Sequence, residues 1–277
     1  MRTIDLLNAT TSLRGLAVAH GLAYGSGERH RMDVYRPERG GDLPVVVWFY
    51  GGGWQWGERA AYRFVAASLA RHGFVVVVPD YRLYPQARFP AFLEDGAAAV
   101  AEARRLAPGW GGDAARLFAV GHSAGAYIAA MLAVAPDWLD AVGVGRAGLA
   151  GAVGIAGPYD FLPITGTDIR AVFAPAADDL RRTQPIHHVD GANAPLLLLH
   201  GGRDTTCYPR NSLALAARIR AAGGPARAKI YGHIGHIGIV AGFAPLLRFC
   251  APTLSDTVLF LRGGWEARAK PTISATA

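Results

Sequence analysis

Apolar runs about as long as β-strands recur along the chain: HRMDVY (30–35), VVVWFY (45–50), FVVVVP (74–79), RLFAVG (116–121), VGIAG (153–157), LLLLH (196–200) and RAKIY (227–231). Most are continuous rather than alternating, and a strand that is apolar on both sides must be buried on both. Segments of helical character lie between the runs, at about 59–72, 89–107, 124–135, 210–222 and 253–262. This β-α-β-α alternation predicts an α/β fold: a mostly parallel central sheet with helices on both faces.

Most connections are short, but about 38 residues separate the strands that end before Pro158 and begin after Pro195. A structureless loop of that length is unusual inside a domain, so the segment is expected to contain short helices, with TDIRAVF and DDLRRT as candidates, and to cover something. The chain then reads as one domain over 1–277, with a cap insertion at about 158–194 and a frayed tail at about 263–277, where apolar periodicity is lost. A hydrophobic content of 51% supports one sizeable core, and no internal repeat or low-complexity segment interrupts it.

The net charge is +7, yet the 26 arginines are scattered and no run of five or more basic residues occurs, which argues against nucleic acid as a partner. Cys207 and Cys250 make neither a disulfide framework nor a C-x-x-C pair and read as structural thiols. The N-terminal apolar stretch is broken by Asp5, Asn8 and Arg14, so it lacks a signal-peptide core. No run approaches the ~18 apolar residues of a membrane span. A cytoplasmic protein with no membrane span is expected.

The stretch LFAVGHSAGAYIAAMLAV (117–134) carries the first chemistry. In G-x-S-x-G a serine sits on a sharp strand-to-helix turn, and flanking glycines leave room for that turn. Gly121, Ser123 and Gly125 fit, with a strand before them and a helix after. Such a nucleophile needs an anion site. The amide of Ala124 and the glycine run Gly51, Gly52 and Gly53 after an earlier strand can supply it, because residues without Cβ atoms can turn their amides toward a ligand oxygen. A nucleotide loop is excluded: GGGWQWG matches G-x-G-x-x-G in no frame, and no G-K-[ST] follows.

An acid and a base should follow in that order. Asp204 lies in the loop after LLLLH, whereas its rival Asp160 opens the long insertion one strand too early. GHIGHIG after RAKIY offers His233 and His236. Neither belongs to an H-E-x-x-H motif and no acidic partners surround them, so no metal is expected, and no other cofactor. All these parts fall beyond the carboxyl ends of strands, where open parallel sheets bind ligands.

From about residue 17 to 262 the chain resembles the α/β-hydrolase superfamily, specifically small bacterial carboxylesterases of the hormone-sensitive-lipase-like and feruloyl-esterase-like branches. YGGGW is similar to that family's H-G-G-G-W, YRLYPQARFPAFLED to its Y-R-L-A-P-E segment, GHSAG to its elbow, HGGRDTTCYPRNS to its acid loop and GHIG to its histidine loop. The resemblance implies Ser123 as nucleophile, His236 as base, Asp204 as orienting acid and Gly52, Gly53 and Ala124 as oxyanion donors. It further implies hydrolysis of short-chain carboxylic esters through an acyl-enzyme, by a monomer or homodimer acting on a small molecule. An arylformamidase of the kynurenine-formamidase type is the alternative on the same groups, and a non-catalytic receptor the reading from another class. Tyr50 departs from the family, standing where a histidine normally braces the glycine loop. Trp54, Trp56, Phe161 and Leu162, on that loop or at the start of the insertion, are candidate substrate contacts, and Arg82 with Asp95 is expected as a structural ion pair.

Overall fold

The computed structural model describes residues 7–263. Among them are the strands β1 (Leu16–Ala23), β2 (Arg31–Pro37), β3 (Leu43–Phe49), β4 (Val75–Pro79), β5 (Gly112–His122), β6 (Gly151–Ile155), β7 (Leu196–Gly201) and β8 (Ala226–Tyr231). They form one sheet in the order β1-β2-β4-β3-β5-β6-β7-β8. β1 and β2 run antiparallel, and from β4 to β8 every neighbouring pair is parallel.

The seven apolar runs correspond to β2 through β8. β1 has no counterpart among them, for a physical reason. It is an edge strand, mostly half-exposed, and its pairing with β2 slips between Ala19 and Leu22, so neither a continuous nor a clean alternating pattern marks it. At the centre, by contrast, Val45 to Phe49 are entirely buried, as a two-sided core strand requires.

The helices among the described residues include α1 (Arg63–Ala70), α2 (Ala91–Leu106), α3 (Ala124–Val134), α4 (Asp137–Asp140), α5 (Thr167–Val172), α6 (Arg210–Ala221), α7 (His236–Ala241) and α8 (Thr253–Leu261). The connection from β3 through α1 reaches β4 on one side, while the connection from β4 through α2 returns past β3 to β5. Because such crossovers are right-handed, α1 and α2 lie on opposite faces of the sheet. The reversal of direction at β3 and β5 opens a crevice beyond their carboxyl ends, the usual place for a ligand in an open α/β sheet.

α3 is apolar on every side and buried along its whole length, so it is a core element rather than a surface helix. The long connection holds α5 and three 3₁₀ turns, which tie back to the core. The Phe89 amide donates to Val172 O at 3.0 Å. The Tyr127 hydroxyl donates to Thr183 O at 2.7 Å and the Phe161 amide to Gln184 Oε1 at 2.8 Å. The expected tail lies, except for Gly263, outside the described residues. Among the described residues no helix is long and apolar enough to cross a membrane.

Candidate active site

Ser123 stands between the end of β5 and the start of α3 with φ 55° and ψ −120°, a strained conformation for a residue with a side chain. The turn exists because its flanking glycines permit it. A Cβ on Gly121 would sit 2.3 Å from the Gly125 backbone, and one on Gly125 would sit 2.1 Å from Phe49 O. The Ser123 amide donates to Ile155 O at 2.8 Å, which pins the turn to β6.

The loops after β7 and β8 bring two more side chains to this serine. His236, at the N-terminus of α7, has its Nε2 2.9 Å from Ser123 Oγ and its Nδ1 2.7 Å from Asp204 Oδ2. Asp204 is buried, and its other oxygen accepts from the amides of Thr206 and Cys207, each at 2.9 Å. Burial alone raises the pKa of such a carboxyl. Hydrogen bonds from His200, His236 and the Cys207 amide outweigh it and hold Asp204 well below the usual carboxylate range. The result is a buried anion aimed at one face of an imidazole whose other face meets a hydroxyl.

A second histidine supports the first. His122, adjacent to Ser123, donates from Nε2 to the backbone carbonyl of His236 at 3.0 Å. Burial, with His236 close by, pushes the His122 pKa down to about 3, so its ring stays neutral at neutral pH. Cys207, read from sequence as a structural thiol, instead lines the cavity and shares a hydrogen bond with Ser123. Burial, reinforced by the charge of Asp204, pushes this thiol up to about 12 and keeps it protonated.

Across from these groups lies the glycine run. Gly52 has φ +142°, and a Cβ there would meet Trp56 O at 1.9 Å, so this turn tolerates only glycine. Its brace is Tyr50, in place of the histidine that the resemblance leads one to expect. The ring stacks between Tyr62 and Tyr81 at 5.7 and 4.7 Å between centroids. Its hydroxyl donates to Asp80 Oδ1 at 2.9 Å and accepts from Arg29 at 2.7 Å, while Arg29 also donates to Gly57 O at 2.9 Å at the far end of the loop. A buried tyrosine network therefore occupies the bracing position.

The groups open onto a cavity of about 560 Å³ lined by Ser123, His236, Gly51, Gly52, Gly53 and Ala124, with apolar walls. Trp54 and Phe161 face it, and Trp54 is locked by rings of Tyr127 and Phe173 at 5.2 and 5.0 Å. Trp56, 64% exposed, stands at the mouth with Ile237. Leu162 lies outside this lining. Adjacent side chains of an irregular run cannot all face inward, and while Phe161, Pro163 and Ile164 reach the cavity, Leu162 packs against the core. Asp160 and His233 are exposed and absent from the lining. Asp95 is buried against Arg82, whose Nε donates to it at 2.9 Å, and also meets His30 at 3.1 Å, and none of these three lines the cavity. A larger cavity, about 680 Å³, opens among Pro44, Phe74, Phe118 and Phe260, at the opposite end of the strands.

Residues 32–219 match the model of the BD-FAE family. The chain belongs to the BD-FAE family. Among curated proteins, a probable isoprenylcysteine alpha-carbonyl methylesterase of Oryza sativa subsp. japonica is 37% identical over 114 residues, 41% of this chain and 27% of that protein. Kynurenine formamidase of Salmo salar is 32% identical over 164 residues, 58% of this chain and 53% of that protein. The BD-FAE chain thus spans about half or less of the length of these relatives. A truncated carbohydrate esterase from gut microbiota, solved as a structure and 21% identical, superposes with a TM-score of 0.78 over 90% of this chain and 96% of that one. The fold is that of the α/β-hydrolases.

Proposed function

We propose that this BD-FAE chain is a serine hydrolase that cleaves short-chain carboxylic esters through an acyl-enzyme. The observation that carries the reading is the unbroken hydrogen-bonded chain from Ser123 through His236 to Asp204, open at its serine end to an apolar cavity. His236 takes the proton of Ser123 as Oγ attacks the ester carbonyl, and returns it to the departing alcohol. Asp204, ionised in its cage of donors, keeps Nδ1 protonated and stabilises the imidazolium. The oxyanion develops beside the amides of Gly52, Gly53 and Ala124, where one donor is worth about 3 kcal/mol of transition-state stabilisation. Water activated by His236 then attacks the acyl-enzyme. Residues 158–194 act as a cap that supplies Phe161 and Ile164 to the acyl or alcohol side.

Formamide cleavage uses the same groups, and one relative carries that activity in its name. The lining supports the ester reading instead. Among its described residues no Lys, Arg, Asp or Glu side chain occurs, so a charged amino-acid substrate loses its hydration there without gaining a partner. The test is a stopped-flow trace with p-nitrophenyl esters of increasing acyl length. A burst of nitrophenol, fastest for short chains and abolished by a serine-directed phosphonate, supports the proposal. Faster turnover of an N-formyl aryl amide than of every ester tried defeats it.

A further inference from the structure

One more imidazole reaches the carboxylate that His236 depends on. His200 closes the apolar run of β7, four residues before Asp204, and is completely buried. Its Nε2 lies 2.7 Å from Cys207 O and 3.3 Å from Asp204 Oδ2. A carbonyl only accepts, so Nε2 carries a proton, and that N–H is shared with the carboxylate. On the other side Nδ1 lies 2.7 Å from Ser212 Oγ, itself buried in α6.

The surroundings explain why such a strut is needed. Arg203, Thr205 and Thr206 are exposed, so Asp204 sits on a surface loop that packing alone does not hold. Its Oδ1 is held by two amides of that same loop. Only Oδ2 reaches beyond it, to His236 and to His200. Leu196 to Leu199 bury without any polar group, whereas the next position buries an imidazole that must be desolvated and fully partnered. Its links run from α6 through Ser212 and His200 to Asp204, and so to the base.

We propose, resting on the Ser123, His236 and Asp204 reading above, that His200 is a positioning residue for the reaction, fixing Asp204 Oδ2 and drawing part of its charge away from His236. The other titratable side chains facing the pair are His122 from β5, packed on His236, and Cys207 from the acid loop, beside Ser123. Both are uncharged at neutral pH. With the His200 donor removed, more of the carboxylate charge falls on His236, which then holds its proton to higher pH. The acid limb of activity moves upward.

Two polar substitutions separate this role from simple core filling. The amide nitrogen of His200→Gln reaches the place of Nε2, while that of His200→Asn reaches only the place of Nδ1. Profiles of kcat/KM against pH with p-nitrophenyl butyrate are expected to leave the acid limb of His200→Gln near the wild-type position. For His200→Asn the limb should move up by about half a pH unit, with kcat about tenfold lower and KM within about threefold. Equal limbs in two variants that melt as folded proteins overturn the proposal. Should His200→Asn not fold, Ser212→Ala keeps the imidazole but removes its outer anchor; a smaller upward movement is expected, and an unmoved limb again overturns the role. Ser123→Ala is run alongside. Activity surviving in that variant defeats the serine-hydrolase reading itself, whereas its loss combined with unmoved limbs defeats only the role of His200.

Discussion

The glycine loop after β3 and the acid and base loops after β7 and β8 face each other across one cavity, yet different forces hold them. The first is shaped by backbone conformations that exclude side chains and by stacked rings: Gly52 at φ +142°, Tyr50 between Tyr62 and Tyr81, and Trp54 against Tyr127 and Phe173. The others are held by hydrogen bonds from buried imidazoles, His200 to Asp204 and His122 to the His236 backbone. A loop that presents amides needs shape. Loops that present an imidazole and its counter-ion need a fixed protonation state as well, and His122, neutral at neutral pH, steadies the His236 backbone without adding charge.

Both sides meet at Ser123. Ser123→Ala is expected to lower turnover of p-nitrophenyl butyrate by about 10⁵, leaving a remainder from the backbone amides. Turnover near wild type in that variant removes the nucleophile from the scheme. Next comes the shape-held side. Gly52→Ala forces a Cβ onto Trp56 O, so kcat should fall about a hundredfold as the donors are displaced, and unchanged kcat in a folded variant shows that the loop gives no transition-state contact.

Tyr50→Phe keeps the ring stack and removes only the hydroxyl between Arg29 and Asp80. Each partner loses one of several hydrogen bonds, which should cost about 1 kcal/mol in urea unfolding, with a smaller effect on kcat; a loss confined to kcat would point to direct contact with substrate. The imidazole-held side is reached through pH. The folded-state pKa of His122 is about 3 against 6.5 in the unfolded chain, so its contribution to stability is complete above 6.5 and is lost as pH falls toward 3. His122→Gln keeps a donor but cannot titrate. Melting temperatures measured across that window should therefore fall less steeply for the variant, and parallel curves would mean that His122 protonates as readily in the folded protein as outside it.

How much of this was legible in the chain depends on the distance between partners. The central strands and α3 declared themselves because burial on both sides leaves a continuous apolar run. The elbow was readable because Gly121, Ser123 and Gly125 make their own local geometry. β1 was not, being half-exposed and slipped in register. Of the pocket candidates, Trp54, Trp56 and Phe161 line the cavity while Leu162 turns to the core, a distinction with no local pattern behind it. The residues alone left His233 and His236 open. The structure leaves the first exposed and places the second against both Ser123 and Asp204.

By itself, then, the sequence determined an α/β sheet, the strained serine turn and the order in which a hydroxyl, a carboxylate and an imidazole arrive at one edge of it. Only the tertiary structure decided which imidazole meets the serine, that Arg29 and Asp80 hold the Tyr50 hydroxyl, and that His200 and His122 lie against Asp204 and the His236 backbone. His122 and the carbonyl it grips are 114 positions apart. A turn is written in adjacent residues because their own sterics create it, whereas a hydrogen bond across that separation comes into being only when the strands between have packed.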